Sequence, residues 1–179
     1  MTVGIRAAAA ADAAAIAAVY RPYVTDSVIS FETEPPEAGE MARRMTAEPR
    51  KPWLVAERAG AVVGYAYASA HRERAAYRWA ADVSVYLAEA EHGRGTGRAL
   101  YVRLFDLLRD LGYVAAYAGI ALPNPASVGL HESMGFRLVG VYRDVGYKFG
   151  RWHDVGWWQL ALVAPLPAEP AEPRPWQDR

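Results

Sequence analysis

The stretch from Asp82 to Leu111 joins an alternating strand pattern to a glycine-rich turn and then to an amphipathic helix. Val83, Val85 and Leu87 alternate with other side chains, which is the two-residue period of a pleated strand. Glycines then occupy every second position of residues 93–97, and leucines recur at helical spacing to the end of the stretch. The first N–H groups of a helix have no partner inside it, and glycines let an anion approach them closely. This order of elements therefore predicts an anion-binding cradle.

Three kinds of glycine-rich anion site differ in the spacing of their residues. A P-loop requires lysine and then serine or threonine after its last glycine, whereas Gly97 is followed by Arg98. A dinucleotide-binding loop has a different glycine spacing and opens a domain, whereas this loop lies past the middle of the chain. The run from His92 to Gly97 resembles the pyrophosphate loop of the GNAT-type N-acetyltransferases, with His92 where that pattern usually has glutamine or arginine.

Composition excludes several classes of protein. The chain has 179 residues, the length of one domain, and 53% of them are hydrophobic, which predicts a packed core. The 20 Lys and Arg residues balance the 20 Asp and Glu residues, so a nucleic-acid partner held by bulk charge is not expected. The absence of cysteine excludes a thiol nucleophile and a zinc–thiolate site, and no metal is expected. It also fits a cytoplasmic location. Asp12 interrupts the alanine-rich start, so neither an export signal nor a membrane segment is predicted.

Capping residues, prolines and glycines set the boundaries of the other predicted elements. Asp12 suits the N-cap of a helix, and Asn124 followed by Pro125 is typical of another helix start, with Gly135 at its end. Residues 1–164 are predicted to form one domain, and the proline-rich tail, residues 165–179, is predicted to be loose. The remaining predicted elements are helices at residues 13–24 and 37–48, an ordered loop at residues 27–36, and strands at residues 2–6, 53–57, 62–70, 113–121, 137–147 and 154–163.

The order of these elements resembles the GNAT acyltransferase fold over about residues 3–162. Four stretches resemble the phosphinothricin N-acetyltransferases more narrowly: residues 30–35 (SFETEP), 52–57 (PWLVAE), 122–124 (LPN) and 148–160 (KFGRWHDVGWWQL). These enzymes use acetyl-CoA to acetylate the amino group of phosphinothricin and methionine sulfoximine. The resemblance implies an α+β fold, with a mixed and mostly antiparallel central sheet flanked by helices. It also implies acetyl-CoA as co-substrate, a small-molecule amine as acceptor and a homodimer.

Two residues are candidates for catalysis. Asp82 lies in a predicted central strand, where aspartate is disfavoured, and burial there would suit it to act as a general base. The resembled family has glutamate at this position, and since aspartate is one methylene shorter, a bridging water is one way for it to act. Ser127 and His131 are four residues apart on a predicted helix and share a face. The family resemblance makes His131 the group that protonates the departing thiolate.

The resemblance also implies the binding residues. The oxyanion donor is expected to be a backbone N–H near Tyr86 or Leu87, and the pyrophosphate is expected on the glycine loop. Arginine suits the anionic groups of the acceptor because its fork matches them, while the tryptophans Trp53, Trp157 and Trp158 are interpreted as packing residues. The predicted acetyl-CoA-binding residues are Val85, Tyr86, Leu87, His92, Gly93, Arg94, Gly95, Thr96, Gly97, Arg98, Asn124 and Ser127, and the predicted acceptor-binding residues are Phe31, Thr33, Arg72, Arg74 and Tyr77.

The sequence therefore predicts an acetyl-CoA-dependent N-acetyltransferase that acts on a small amino-acid analogue by direct attack, with a carboxylate as general base. Two alternatives stay open. A protein or peptide N-terminal acetyltransferase would use an open groove rather than a pocket lined with arginine. A non-catalytic acyl-CoA-binding sensor would tolerate the departures from the family pattern at Asp82 and His92.

Overall fold

The computed structural model describes residues 3–177. Its seven strands form one mixed sheet. The strands are β1 (Gly4–Ala7), β2 (Trp53–Arg58), β3 (Ala61–Ala70), β4 (Ala80–Leu87), β5 (Ala115–Ala121), β6 (Arg137–Lys148) and β7 (Arg151–Ala161), and the helices are α1 (Ala13–Thr25), α2 (Ala38–Met45), α3 (Thr96–Leu111) and α4 (Pro125–Ser133). Across the sheet the strand order is β1–β2–β3–β4–β5–β7–β6. All neighbours are antiparallel except β4 and β5, which are parallel and are joined through α3. The predicted mixed and mostly antiparallel α+β architecture is confirmed.

The centre of the sheet contains a cleft between β4 and β5. These two strands are paired only from Ala80 to Asp82, opposite Ala115 to Tyr117. Beyond Asp82, β4 continues to Leu87 alongside β3 alone, while β5 continues alongside β7. Backbone N–H groups of β4 that point away from β3 therefore face an opening instead of a neighbouring strand.

Both faces of the sheet are covered, which explains the nearly continuous apolar run of β2. Leu54 is buried in the cluster that contains α3, and the next residue, Val55, is buried in the cluster that contains α1 and α2. Because successive side chains of a strand point to opposite faces, each face supplies its own core.

Most predicted boundaries are met within a few residues, and Asp12 shows why one cap differs. Its carboxylate does not cap α1; it accepts hydrogen bonds from the Arg6 guanidinium (Nη1–Oδ2 2.7 Å) and from the Ala9 backbone N–H. By contrast, the predicted cap at Asn124 is confirmed, since its Oδ1 accepts the Ser127 N–H at 3.1 Å. Helix α2 is shorter than predicted, while β6 and β7 are longer at the ends that meet in their turn. Thr2, in the first predicted strand, lies outside the described residues.

The prediction of a loose tail is wrong for residues 171–176, which lie against the body of the protein, whereas residues 165–170 are exposed. The Arg174 N–H donates to the Leu111 carbonyl at the end of α3, and the Trp176 N–H donates to the Arg50 carbonyl, both at 2.8 Å. Trp176 also packs against the main core cluster. A helix end has unpaired carbonyls, so the tail gains both a hydrogen bond and apolar burial there. None of the helices in residues 3–177 is long and apolar enough to cross a membrane.

Candidate active site

The glycine loop forms one end of a groove with a cavity of about 450 Å³. Gly93 and Gly95 have φ angles of +71° and +81°, a left-handed conformation that glycine adopts without steric cost. Gly97, in the first turn of α3, faces Leu130 of α4, and a Cβ there would lie 3.3 Å from the Leu130 Cδ2 atom. The missing side chain keeps the groove open between the two helices, above the free N–H groups of α3. Where the sequence predicts an anion cradle, the structure therefore has left-handed glycines and open space beside the start of a helix.

Most of the predicted acetyl-CoA-binding residues line this groove, but three do not. The Thr96 side chain is buried below the loop and donates to Glu91 Oε2 at 2.7 Å. Arg94 is exposed outside the lining, and the Tyr86 ring lines a different cavity. The predicted residues that do line the groove are Val85, Leu87, His92, Gly93, Gly95, Gly97, Arg98, Asn124 and Ser127.

A buried carboxylate supports the loop from below. Glu91 accepts the Arg58 guanidinium through both oxygens (Nε–Oε1 2.8 Å and Nη2–Oε2 2.9 Å) in addition to the Thr96 hydroxyl. The Arg58 bonds first, and then the Thr96 bond, lower the pKa of Glu91 to about 2. Local sequence patterns do not indicate this brace, because Arg58 lies on β2, far along the chain from the loop.

Tyr23 of α1 ties the loop to the end of β4. Its hydroxyl donates to the Leu87 carbonyl at 2.6 Å, so the His92 Nε2 atom, 2.9 Å from the same oxygen, is the donor in their contact. The Leu87 N–H also donates to the Tyr23 oxygen at 3.3 Å. Because N–H directions alternate along an antiparallel strand, the Val85 N–H points the same way as that of Leu87, into the cleft, while the Tyr86 N–H faces β3.

A second cavity, of about 600 Å³, lies on the other side of the cleft. Its walls come from α1, the loop after it, β3, β4, β5, β6 and β7. Of the predicted acceptor-binding residues, Phe31 lines this cavity and Thr33 does not. Its lining includes Phe31, Tyr67, Ser69, Asp82, Ser84, Tyr86 and Trp157.

Asp82 lies at the rim of the cleft, and its carboxylate lines the second cavity. Burial is the main influence on its pKa and raises it, while a hydrogen bond with His71 (Oδ1–Nδ1 2.6 Å) acts in the opposite direction. The His71 ring stacks on Tyr117 with a centroid distance of 4.3 Å. No local sequence pattern indicates His71 as a partner of Asp82. The β3–β4 register, which pairs Ser69 with Asp82, brings it there.

The remaining predicted acceptor-binding residues, Arg72, Arg74 and Tyr77, do not line the second cavity. They line another cavity of about 610 Å³, which His71 also borders, beside the tail. Arg72 lies close to the second cavity through Trp157, whose ring centroid is 5.3 Å from the Arg72 Cζ atom, and its charge acts on Asp82. Trp157 itself, interpreted from the sequence as packing, lines the second cavity, and its buried Nε1 has no hydrogen-bond partner within residues 3–177.

His131 is only 3% exposed, and both of its ring nitrogens are engaged. Nδ1 donates to the Ser127 carbonyl at 2.8 Å, which leaves Nε2 to accept from the Tyr101 hydroxyl at 2.9 Å. Burial lowers the pKa of His131, so the ring is neutral at neutral pH. Tyr101 and His131 border a small cavity of about 50 Å³ in the cleft, which shares lining residues with both larger cavities. The predicted shared face of Ser127 and His131 is confirmed, and the bond from Tyr101 is new.

Lys148 holds the loop that carries Phe31. Its buried ammonium donates to the carbonyl oxygens of Val24 (2.6 Å) and Ser30 (2.7 Å), so the end of β6 is bound to the end of α1 and to the loop. The Phe31 ring packs over Gly146 of β6, where a side chain would collide with it. These contacts close one wall of the second cavity and could not be found from local sequence patterns. Within residues 3–177, no group of three or more His, Asp and Glu side chains is arranged to hold a metal ion.

Comparisons with known proteins agree with this geometry. The family described as Acetyltransferase (GNAT) domain matches residues 5–157. The chain is 40% identical over 172 residues to phosphinothricin N-acetyltransferase of Streptomyces viridochromogenes, covering 96% of this chain and 94% of the relative. It is 37% identical over 163 residues to the L-methionine sulfoximine/L-methionine sulfone acetyltransferase of Salmonella typhimurium, covering 88% and 94%.

A solved structure shows the same similarity. The GNAT superfamily phosphinothricin acetyltransferase of Sinorhizobium meliloti, in complex with acetyl-CoA, superposes with a TM-score of 0.90 at 39% identity, covering 96% of this chain and 95% of that one. Together with the glycine cradle and the split sheet, these similarities show that the chain is an acyltransferase belonging to the GNAT acetyltransferase family.

Proposed function

We propose that this acyltransferase transfers the acetyl group of acetyl-CoA to the amino group of a small amino-acid analogue of the phosphinothricin, methionine sulfoximine or methionine sulfone type. One observation carries the proposal: the cleft between β4 and β5 joins the glycine groove to a separate cavity that is lined by Asp82. The names of the relatives support the substrate class. A chain without cysteine suits a reducing compartment, and we place the reaction in the cytoplasm.

The groove residues fit acetyl-CoA. The left-handed glycines and the start of α3 offer backbone N–H groups to a pyrophosphate, and Gly97 leaves the space that a side chain would fill. Arg98 adds positive charge beside the groove, where its Nη2 is already held by Ser133 Oγ at 2.8 Å. When bound there, acetyl-CoA supplies a thioester whose carbonyl carbon accepts the amine.

The cleft offers a group for each proton and charge that must be handled. As the amine nitrogen forms its bond to the carbonyl carbon, Asp82 takes the N–H proton, and the Val85 N–H stabilises the negative charge on the oxygen. The bond from carbon to sulfur then breaks, and the leaving thiolate takes a proton from the Tyr101 hydroxyl, which is bonded to His131. In this scheme neutral His131 holds the Tyr101 hydroxyl through Nε2 but carries no proton there to return. The proton that Asp82 took from the amine, carried by water, restores the hydroxyl of Tyr101. The products are the N-acetyl compound and the free thiol of CoA.

We also propose a homodimer, which forms through the edge of the sheet at β6. This strand has no neighbour on its outer side within residues 3–177. It and the adjoining turn and β7 expose large apolar side chains, and such a patch on an unpaired edge is typical of an interface. The exposed residues are Leu138, Val139, Tyr142, Val145, Tyr147, Phe149 and Trp152. Sedimentation analysis should give a dimer mass for the wild type and a larger monomer fraction for Tyr147→Glu. A monomeric wild type would contradict the assembly.

The function is tested by following thiol release from acetyl-CoA with a panel of acceptors: phosphinothricin, methionine sulfoximine, methionine sulfone and peptides with free N-termini. We expect turnover with one or more of the amino-acid analogues and none with the peptides. Turnover with the peptides alone would identify an N-terminal acetyltransferase. Binding of acetyl-CoA, measured by calorimetry, with no turnover on any acceptor would contradict the proposed substrate class.

A further inference from the structure

We infer that His71 is the positioning partner of Asp82 in the acetyl transfer: its ring fixes one carboxylate oxygen, so that the other oxygen is presented to the acceptor amine. This inference rests on the proposed function and deepens it. No part of the glycine-loop or helix pattern of the sequence indicates the pair, because His71 lies in the charged connection between β3 and β4.

The backbone of Asp82 is fixed on both sides. It is paired with Ser69 of β3 and with Tyr117 of β5, and it is the last residue of β4 that is paired with β5 before the cleft. The side chain therefore starts from a rigid position at the rim of the cleft. The 2.6 Å hydrogen bond between Oδ1 and His71 Nδ1 then fixes the direction of the short carboxylate. A bond of that length is typical of a charge-assisted pair.

The His71 ring is itself held in place. It stacks on Tyr117 (centroids 4.3 Å apart, planes at 17°) and makes edge contacts with Tyr77 and Trp157 at 6.0 Å and 5.9 Å. Its side chain is 12% exposed, so the ring is not a surface histidine that samples many rotamers. A partner packed on three sides can orient a catalytic group more firmly than a solvated side chain can.

The two residues of the pair border different cavities. Asp82 lines the second cavity, which we call the acceptor cavity, whereas His71 does not line it and borders the cavity beside the tail. The ring thus reaches the carboxylate from behind and acts through it. The second oxygen of Asp82, Oδ2, has no hydrogen-bond partner within residues 3–177, which leaves its lone pairs for the amine proton.

The surrounding charges set the direction of the effect. Burial raises the pKa of Asp82, the His71 hydrogen bond lowers it, and Arg72 lowers it further through its charge. The other titratable groups nearby are the hydroxyls of Tyr67 on β3, Tyr77 in the connection and Tyr117 on β5. Burial raises the pKa of Tyr67 above its ordinary value. Without the donor at residue 71, less opposes the rise that burial causes in the pKa of Asp82. Its carboxyl would therefore ionise only at higher pH.

Two matched variants separate the hydrogen bond from the packing. His71→Phe keeps a ring on Tyr117 and removes the donor, whereas His71→Asn removes the ring and keeps an N–H near the position of Nδ1. We expect His71→Phe to lower kcat about tenfold or more at pH 7, the effect of one charge-assisted hydrogen bond. It should also shift the acidic limb of the kcat/KM profile to higher pH, with no change in the KM for acetyl-CoA. His71→Asn should recover much of kcat and the wild-type limb. Wild-type kcat and limb in a folded His71→Phe enzyme would overturn the inference.

A second measurement does not depend on turnover. The side-chain carboxyl of Asp82 can be titrated by carbon NMR in protein labelled at aspartate, with the signal assigned by its loss in Asp82→Asn. The titration midpoint should rise in His71→Phe and stay near the wild-type value in His71→Asn. If only the asparagine variant folds, a large rise in that variant overturns the inference. A wild type that acetylates no acceptor on the panel would refute the proposed function, while the titration still reports separately on the pair.

Discussion

The two halves of the site are built in different ways. Apart from Tyr23 and Ile29, the glycine groove is lined by two short stretches, residues 85–98 and 124–130. The acceptor cavity takes its walls from residues scattered between Tyr20 and Trp157. The groove consists mainly of backbone N–H groups beside glycines that have no side chain. A short stretch of sequence can encode both features. The cavity depends on side chains that meet only when distant segments pack. Changes in the groove should therefore affect acetyl-CoA alone, and changes in the cavity should affect the acceptor or the chemical step.

The largest expected effect comes from Asp82→Asn, which tests the cavity side. The amide keeps the size of the carboxylate but cannot accept the amine proton, so kcat at neutral pH should fall by about a hundredfold or more. The Kd for acetyl-CoA, measured by calorimetry, should stay at the wild-type value. Asp82→Glu is the companion variant, and it should keep much of the activity if the cavity has room for one more methylene. A folded Asp82→Asn enzyme with wild-type kcat across pH would show that the base is elsewhere.

On the groove side, Gly97→Val should weaken acetyl-CoA binding about tenfold through overpacking between the helices. The first added carbon would already lie 3.3 Å from Leu130 Cδ2 and 3.5 Å from Leu87 Cδ1. Gly129→Ala is a matched control, because a Cβ there meets nothing within 4 Å and alanine favours the helix. Calorimetry and thermal melting of both variants give affinity and folding. Equal affinities for acetyl-CoA in the two folded variants would show that Gly97 is not part of the binding site.

A smaller effect distinguishes direct from indirect contact with the acceptor. Arg72 lies over the Trp157 ring that lines the cavity, whereas Arg74 lines only the neighbouring cavities. Loss of one exposed cation–π contact, about 0.5–1 kcal/mol, predicts that Arg72→Ala raises the acceptor KM about threefold. Arg74→Ala should leave it nearly unchanged. A rise of about thirtyfold for Arg72→Ala would instead indicate that its guanidinium binds the acceptor directly.

The smallest effect concerns stability at acid pH and belongs to the groove side. The Arg58 and Thr96 bonds hold the pKa of Glu91 at about 2, below its ordinary value of 4.5. A carboxyl whose pKa is lowered by folding stabilises the folded state fully above its unfolded pKa, and this stabilisation is lost as the pH falls through the folded value. The melting temperature should therefore decline from about pH 4.5 toward pH 2, and the decline should be shallower in Glu91→Gln. Identical slopes would mean that the brace does not contribute.

The sequence allowed the groove to be predicted almost residue by residue, and His92 and Asn124 lie where the motif indicates. The sequence also predicts Thr96 in the groove, but its side chain turns inward and its hydroxyl donates to buried Glu91. On the cavity side the prediction was weaker. Asp82 and Phe31 line the second cavity, while Arg72 and Arg74 line other cavities. Charge and residue type indicated these arginines, but the direction of a side chain leaving a loop cannot be read from either.

The sequence by itself determined most of the elements, the cap at Asn124 and the position of the glycine loop, since each follows from backbone geometry within a short stretch of the chain. Only the tertiary structure decided which side chains face each other across the sheet. The bond from Lys148 to the Phe31 loop joins segments more than 100 residues apart, and the tail lies against α3 because the helix end offers a free carbonyl and an apolar edge. The pairing of His71 with Asp82 depends on the β3–β4 register, which is fixed by the packing of both faces of the sheet and not by the residues of the pair.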